Sequence, residues 1–229
     1  MWVRSLHKWD LSPAEALAVQ NGLRLMVVRY NGLGVVHRVA GVDISTRGGR
    51  AYAAIAVLSF PELQLLETAE ADLPLTFPYV PGLLAFREGP AIVAALDGLR
   101  VEPDLFIFDG HGLAHPRRMG IASHIGVILD RPSIGCAKSL LCGQCEPAGP
   151  QMGDHSEIRE HGEVIGAAVR TRERVQPVYI SIGHRIDLQT AISYALRCCA
   201  GYRLPEPTRW AHRVAGGEKT PTTQQLSLW

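Results

Sequence analysis

No stretch of this 229-residue chain approaches the ~20 consecutive apolar residues needed to cross a bilayer. The opening MWVRSLHKWD likewise lacks the apolar core of a secretory signal. Cysteine is sparse, with five residues, an odd count without the density of a disulfide scaffold. Together these absences set the expectation of a soluble, cytoplasmic protein with no membrane partner. Charge of one sign is missing too: 23 Lys and Arg against 22 Asp and Glu leave +1. Bulk charge therefore does not mark a nucleic-acid binder. Such a partner would have to be held by local clusters such as His115-Pro116-Arg117-Arg118 or Arg170, Arg172 and Arg174. Runs of that kind are commonly just solvated faces. No repeat and no linker divides the chain, so residues 1–229 are expected to form a single domain, with 215–229 a loose tail.

What the chain does have is enough apolar content for a core, 47% hydrophobic against 20% charged. Residues 12–30 predict a helix, because Ser12-Pro13 supplies a cap and a proline at the first helical position. Asn31-Gly32 breaks it. Residues 39–45 read as a strand, Arg47-Gly48-Gly49 as a hairpin turn, and 51–58 as the returning strand, with a third at 63–73. The stiff loop Pro78-Tyr79-Val80-Pro81-Gly82 leads into a helix over 83–99. Residues 104–108 are a short continuous apolar run, the pattern of a strand covered on both faces. A helix over 118–130 and a strand at 133–137 follow, then an irregular excursion at 142–158. Residues 163–170 and 178–181 read as strands. Asp187 caps the last clear helix, with Leu188, Ile192, Ala195 and Cys199 on one face. A strand meander followed by alternating helix and strand predicts a mixed-sheet α/β fold.

Within these elements three acids stand where burial should forbid them: Asp43 in VAGVDIS, Glu88 in PGLLAFREGP and Asp109 in PDLFIFDGHG. A lone buried carboxylate costs several kcal/mol unless it is paired, protonated or bound to a metal. Asp43 shares a strand face with Val39 and Gly41; its ordinary alternative is an Asp that turns over to cap the next turn. Asp109 ends Leu105-Phe106-Ile107-Phe108, and ligands gather at the carboxyl ends of strands in open α/β sheets. Asp-Gly is also a common turn dipeptide, although His111 and His115 follow closely. Glu88 lies on the helical stripe of Leu84 and Ile92, near Ala95, which should face the sheet. Carboxylates brought together from separate elements suit Mg²⁺ or Mn²⁺, hard ions that take oxygen ligands. With His212 and Lys138 as companions, the pattern points to a divalent-cation site for phosphate chemistry.

Six segments, in order, resemble the endonuclease V family of deoxyinosine-directed repair nucleases. They are VAGVDIS, FPYVPGLLAFREGP, PDLFIFDGHGLAHPRRMGIASHIG, PSIGCAKSLLCG, PVYISIGHRIDL and YRLPEPTRWAHRVA, running through most of the chain from residue 39 onward. The resemblance implies an RNase H-like α/β fold, a mixed central sheet flanked by helices. It implies metal ligands at Asp43, Glu88, Asp109 and His212, and a lysine near the scissile phosphate at Lys138. It implies that Pro78-Tyr79-Val80-Pro81 is a wedge, in which prolines stiffen the loop and Tyr79 fills the gap left by a base leaving the stack. Tyr79, Pro81, Gly82, Leu84, Gly110, His115, Gly120 and Ile121 would line a pocket for flipped hypoxanthine, the glycines permitting close backbone approach. The implied reaction is hydrolysis of the second phosphodiester bond 3′ to deoxyinosine. It needs Mg²⁺, with Mn²⁺ substituting, and leaves 3′-hydroxyl and 5′-phosphate ends. The implied partner is DNA carrying deoxyinosine or other deaminated bases, bound by a monomer.

Other features point elsewhere. Cys142 and Cys145, followed by His155 and His161, superficially suggest zinc, but the Cys-to-His gap is short and no second CxxC exists. Arg185, Arg203 and Arg209 are candidate phosphate contacts. Three readings compete with a deoxyinosine nuclease: inosine in RNA as the substrate, a non-catalytic nucleic-acid binder, and a general Mg²⁺-dependent phosphohydrolase. The last leaves the PYVP loop unexplained.

Overall fold

The computed structural model describes residues 3–218, so the tail expected over 215–229 lies outside the described residues from 219 onward. One eight-stranded mixed sheet runs through it in the order β3-β2-β1-β4-β5-β8-β7-β6. The first three strands are a meander, β1 (Arg38–Arg47), β2 (Arg50–Ser59) and β3 (Leu65–Pro74). Gly48 and Gly49 both hold positive φ between β1 and β2, the backbone that a two-residue hairpin turn requires. β4 (Leu105–Phe108) joins β1 in parallel and β5 (Ser133–Ala137) joins β4 in parallel. β8 (Val178–His184), β7 (Glu163–Val169) and β6 (His155–Glu160) complete the sheet antiparallel.

Alternation along each strand divides the core in two. On one face Val42, Ile55, Phe106 and Phe108 pack against Ile92 and Leu96 of α2 (Leu84–Leu96) and Ile125 of α3 (Ile121–Leu129). On the other, Val39, Leu105, Ile107 and Ile180 pack against Ala191 and Ile192 of α4 (Leu188–Arg197). α5 (Glu206–Ala215) lies on that second face, with Ala211 and Val214 against Leu58 and Ala54. β4 is thus covered on both sides, as its unbroken apolar run predicts. The mixed sheet flanked by helices is the expected fold class. No helix among the described residues is long and apolar enough to cross a membrane.

Three expectations need correction. The helix expected over 12–30 stops early: α1 covers Pro13–Leu23 and a 3₁₀ turn Arg24–Met26 follows. Beyond it the chain becomes extended because Val28 bonds across to another segment, its N–H to His184 Nδ1 at 3.2 Å and its carbonyl to the Arg185 N–H at 2.8 Å. The irregular excursion at 142–158 contains the start of β6, an edge strand with one partner and little apolar alternation. The Asp187-capped helix is not the last: α5 follows, entered through Pro205 and Pro207, residues that a helix accommodates readily in its first turn.

Candidate active site

Parallel pairing of β1 with β4 places Val42 beside Phe108, and the Asp109 N–H donates to the Val42 carbonyl at 2.9 Å. Asp43 and Asp109, one residue further on each strand, therefore project together. α5 crosses directly over β1, which is possible because Gly41 has no side chain: a Cβ there would lie 2.0 Å from the Pro207 carbonyl carbon and oxygen. That crossing brings His212 to Asp43, Nδ1 to Oδ2 at 2.7 Å. Lys138, just past the end of β5, reaches Asp109 Oδ2 with its Nζ at 2.5 Å.

Ligand atoms of Asp43, Asp109 and His212 all lie within 4.8 Å of one another. Glu88, on α2, is not a member of that group. It does feel the cluster: burial, and then the charge of Asp43, raise its pKa to about 7. Asp43 is shifted upward as well, by burial and by Asp109, against the pull of His212 and Lys138. Two carboxylates and an imidazole at this spacing, one of them buried and repelled by its neighbour, form a donor set that fits a divalent cation. Of the four residues expected at a shared site, the structure brings Asp43, Asp109 and His212 together and leaves Glu88 beside them.

Next to this cluster is a cavity of about 270 Å³. All eight residues expected to line a pocket line it: Tyr79, Pro81, Gly82, Leu84, Gly110, His115, Gly120 and Ile121. The two features touch in the chain itself, since Asp109 belongs to the cluster and Gly110 to the cavity, while α2 carries Leu84 and Glu88 one turn apart. Tyr79 is 73% exposed at the rim. Gly82 has φ +79, a backbone that favours glycine, and a Cβ on it would lie 2.4 Å from Arg117 Nη2 and displace that guanidinium. Its carbonyl accepts from Gln20 Nε2 at 3.0 Å, His115 Nε2 at 3.1 Å and Arg117 Nη2 at 2.7 Å. The Arg117 main-chain N–H in turn donates to His115 Nδ1 at 3.1 Å. These two bonds assign the neutral ring with its proton on Nε2. Burial, and then Arg117, push the His115 pKa down to about 4.

Sequence reasoning missed Gln20 in this wall. Its partners are 62 and 97 residues away, so no local pattern signals it. A basic cleft of about 400 Å³ lies on the other side of His212, lined by Lys138, Tyr202, Arg203, Arg209 and Arg213 among others. Of the three arginines expected to meet phosphate, only Arg203 and Arg209 border it. Arg203 Nη2 already donates to the Lys138 and Pro177 carbonyls, and Arg209 covers the Tyr202 ring at 3.3 Å. Arg185 is instead spent on Asp130, at 2.6 and 3.0 Å. Cys142 and Cys145 pack beside Ile158 and Ile165, and burial raises the Cys142 thiol to about 11.

The chain is similar to known proteins along most of its length. The Endonuclease V family model matches residues 23–213. The chain is 52% identical to Endonuclease V of Roseiflexus sp. strain RS-1 over 213 residues, which is 93% of this chain and 96% of that one. The crystal structure of Endonuclease V from Streptomyces avermitilis superposes with a TM-score of 0.87 at 40% identity, over 94% of this chain and 96% of that one. Endonuclease V of Ciona intestinalis, solved with a 24mer DNA containing an inosine followed by a ribo-adenosine, superposes with a TM-score of 0.76 at 29% identity, over 93% and 97%.

Proposed function

The chain belongs to the endonuclease V family and is a nuclease, and from that premise we propose that it cuts DNA at deoxyinosine, hydrolysing the second phosphodiester bond on the 3′ side. Mg²⁺ is the proposed cofactor, with Mn²⁺ able to substitute, and the products carry 3′-hydroxyl and 5′-phosphate ends. The observation that carries the reading is adjacency: an Asp43–Asp109–His212 donor set opens beside a cavity of about 270 Å³ through consecutive residues Asp109 and Gly110. A cluster for phosphate chemistry alone would have no use for the cavity.

Each part has a role that its chemistry suits. Asp43, Asp109 and His212 would hold the cation, with Glu88 at their edge. The bound ion would supply a Lewis acid for water and phosphate. Lys138, held on Asp109, would present its ammonium to charge building on the scissile phosphate. Tyr79, exposed on a loop stiffened by Pro78 and Pro81, would enter the stack as the base swings out. Main-chain groups of Gly110 and Ile121 would read the base edge, with Gly82, Leu84, His115 and Gly120 enclosing it. His115 would meet the base as a neutral ring, because its Nδ1 accepts from the Arg117 main-chain N–H while its Nε2–H is committed to the Gly82 carbonyl. We place the enzyme in the cytoplasm, acting as a monomer. Its five free cysteines are what a reducing compartment favours.

The test is cleavage of an end-labelled oligonucleotide with one deoxyinosine, with Mg²⁺ and with chelator. Cutting one nucleotide beyond the inosine, only with Mg²⁺, is the expected result. Cutting at a different position, or equally in chelator, would overturn it. A second reading, inosine in RNA, is supported by the ribo-adenosine beside the inosine in the Ciona complex. Matched deoxyinosine and inosine strands decide between them. Strong preference for RNA would replace the DNA assignment.

A further inference from the structure

Gln20 is 1% exposed yet lines the cavity, and its amide bonds through both oxygen and nitrogen to two chain segments, at 82 and at 117–119, that Arg117 and His115 also tie together. Its Nε2 donates to the Gly82 carbonyl at 3.0 Å and to the Met119 carbonyl at 2.8 Å. Its Oε1 accepts from Arg117 Nε. Gly82 ends the Tyr79 loop and Met119 precedes Gly120 and Ile121, so one primary amide spans from one wall of the cavity to the other. Arg117 closes the figure, donating through Nη2 to the same Gly82 carbonyl at 2.7 Å and filling the space a side chain at 82 would need. The hydrogen bonds and ion pairs of Asp43, Asp109 and His212 run to one another and to Lys138, not to Gln20 or Arg117.

We propose that Gln20 and Arg117 form a clasp that fixes the separation of the two cavity walls, making them positioning residues for selection of the everted base. This rests on the base-pocket reading above. The physical reason is the narrowness of the tolerance: a site that reads a base edge through main-chain groups discriminates only while those groups stay within hydrogen-bond distance of one geometry. Loop main chain cannot hold that geometry by itself. The clasp supplies it from α1 and from the segment before α3 without spending a side chain on the base.

The volume-conserving variant Q20M and the separate variant R117M remove the clasp from either end while leaving the donor set intact. The readout is kcat/KM on a deoxyinosine strand divided by kcat/KM on the matched adenine strand, together with Mn²⁺ binding by calorimetry. Losing a buried hydrogen-bonded tie should lower the ratio about tenfold, mostly through KM, with Mn²⁺ affinity unchanged. R117K, which keeps a donor for Gly82, should recover part of the loss. Wild-type protein is tested independently by amide exchange, where the Leu83 amide, which donates to the Val80 carbonyl in the loop the clasp holds, should be protected in the free protein. Folded variants that keep the wild-type ratio, an equal loss on both strands, or a Leu83 amide exchanging as freely as an unrestrained segment would each overturn the clasp. A wild-type enzyme with no inosine preference would instead sink the base-pocket reading, and the clasp with it.

Discussion

Asp43 is 7% exposed, carries Asp109 beside it, and is answered by His212, Lys138 and the Ile44 main chain. Such a residue works against the fold until a cation arrives. Asp43→Asn removes one of two facing charges while keeping the shape and an acceptor for His212. The cation-free variant should therefore melt at or above the wild-type temperature, yet show no Mn²⁺-induced rise in Tm and no cleavage. A variant that melts clearly lower and still gains stability from Mn²⁺ would contradict the assignment. Tyr79 is the opposite kind of residue. Exposed as it is, Tyr79→Ala should change stability by less than about 0.5 kcal/mol. Its cost should appear as lost preference for inosine over adenine, read from competition between the two strands. The acids were legible in the sequence because a charge inside an apolar run violates a strong rule. Gln20 was not, since a glutamine on α1 breaks no rule until the Gly82 carbonyl is seen above it.

Elements bring those residues together, and Gly41 shows how little material that takes. β1 and α5 approach so closely that a Cβ on Gly41 would overlap main-chain atoms of Pro207. Backbone cannot step aside as a flexible side chain can. Gly41→Ala should therefore lift α5 from the sheet, costing at least ~1–3 kcal/mol of stability, and take His212 away from Asp43. Chemical denaturation reads the first effect and Mn²⁺ calorimetry the second. Weakened stability with wild-type Mn²⁺ affinity would show that α5 does not set the donor geometry. Gly22 supplies the contrast, being helical with nothing within 4 Å of the point where a Cβ would stand. Gly22→Ala should stabilise by about 0.5–1 kcal/mol. β4 and the Gly48–Gly49 hairpin follow directly from local pattern, the first from an unbroken apolar run and the second from turn chemistry. α5 does not, because Pro205 and Pro207 resemble a chain ending its structure rather than starting a helix. His212 was consequently a candidate companion that family resemblance made a ligand, while its neighbours Asp43 and Asp109 could be argued from burial.

At the scale of the whole molecule, an imidazole bond ties the N-terminal segment to the helices behind the site. His124 on α3 is fully buried, and its Nε2 meets His7 Nε2 at 2.7 Å. Trp9, two residues on, stacks over His124 and fills the place where Gly89 has no side chain, immediately beside Glu88. Burial, and then His7, push the His124 pKa from 6.5 down to about 3. The folded state thus keeps this ring neutral while the unfolded chain protonates it below pH 6.5. Its contribution to stability is intact above pH 6.5 and is lost as the pH falls from there toward 3, by up to ~1.4 kcal/mol per pH unit. Glu88 titrates in the opposite sense, raised to about 7 and so gaining stability on acidification over part of the same range. A bare pH profile therefore mixes these with His115, lowered to about 4, and with other histidines lowered by burial, and a difference is needed. His124→Phe preserves an aromatic ring against Phe86 and Trp9 but cannot titrate. Subtracting its unfolding free energy from that of the wild type at pH 8 and at pH 5 cancels Glu88. The wild type should lose ~2 kcal/mol relative to the variant between those two values. A difference that stays flat would mean that His124 is protonated in the folded protein, and that the strap over Gly89 is held by something other than a neutral imidazole pair.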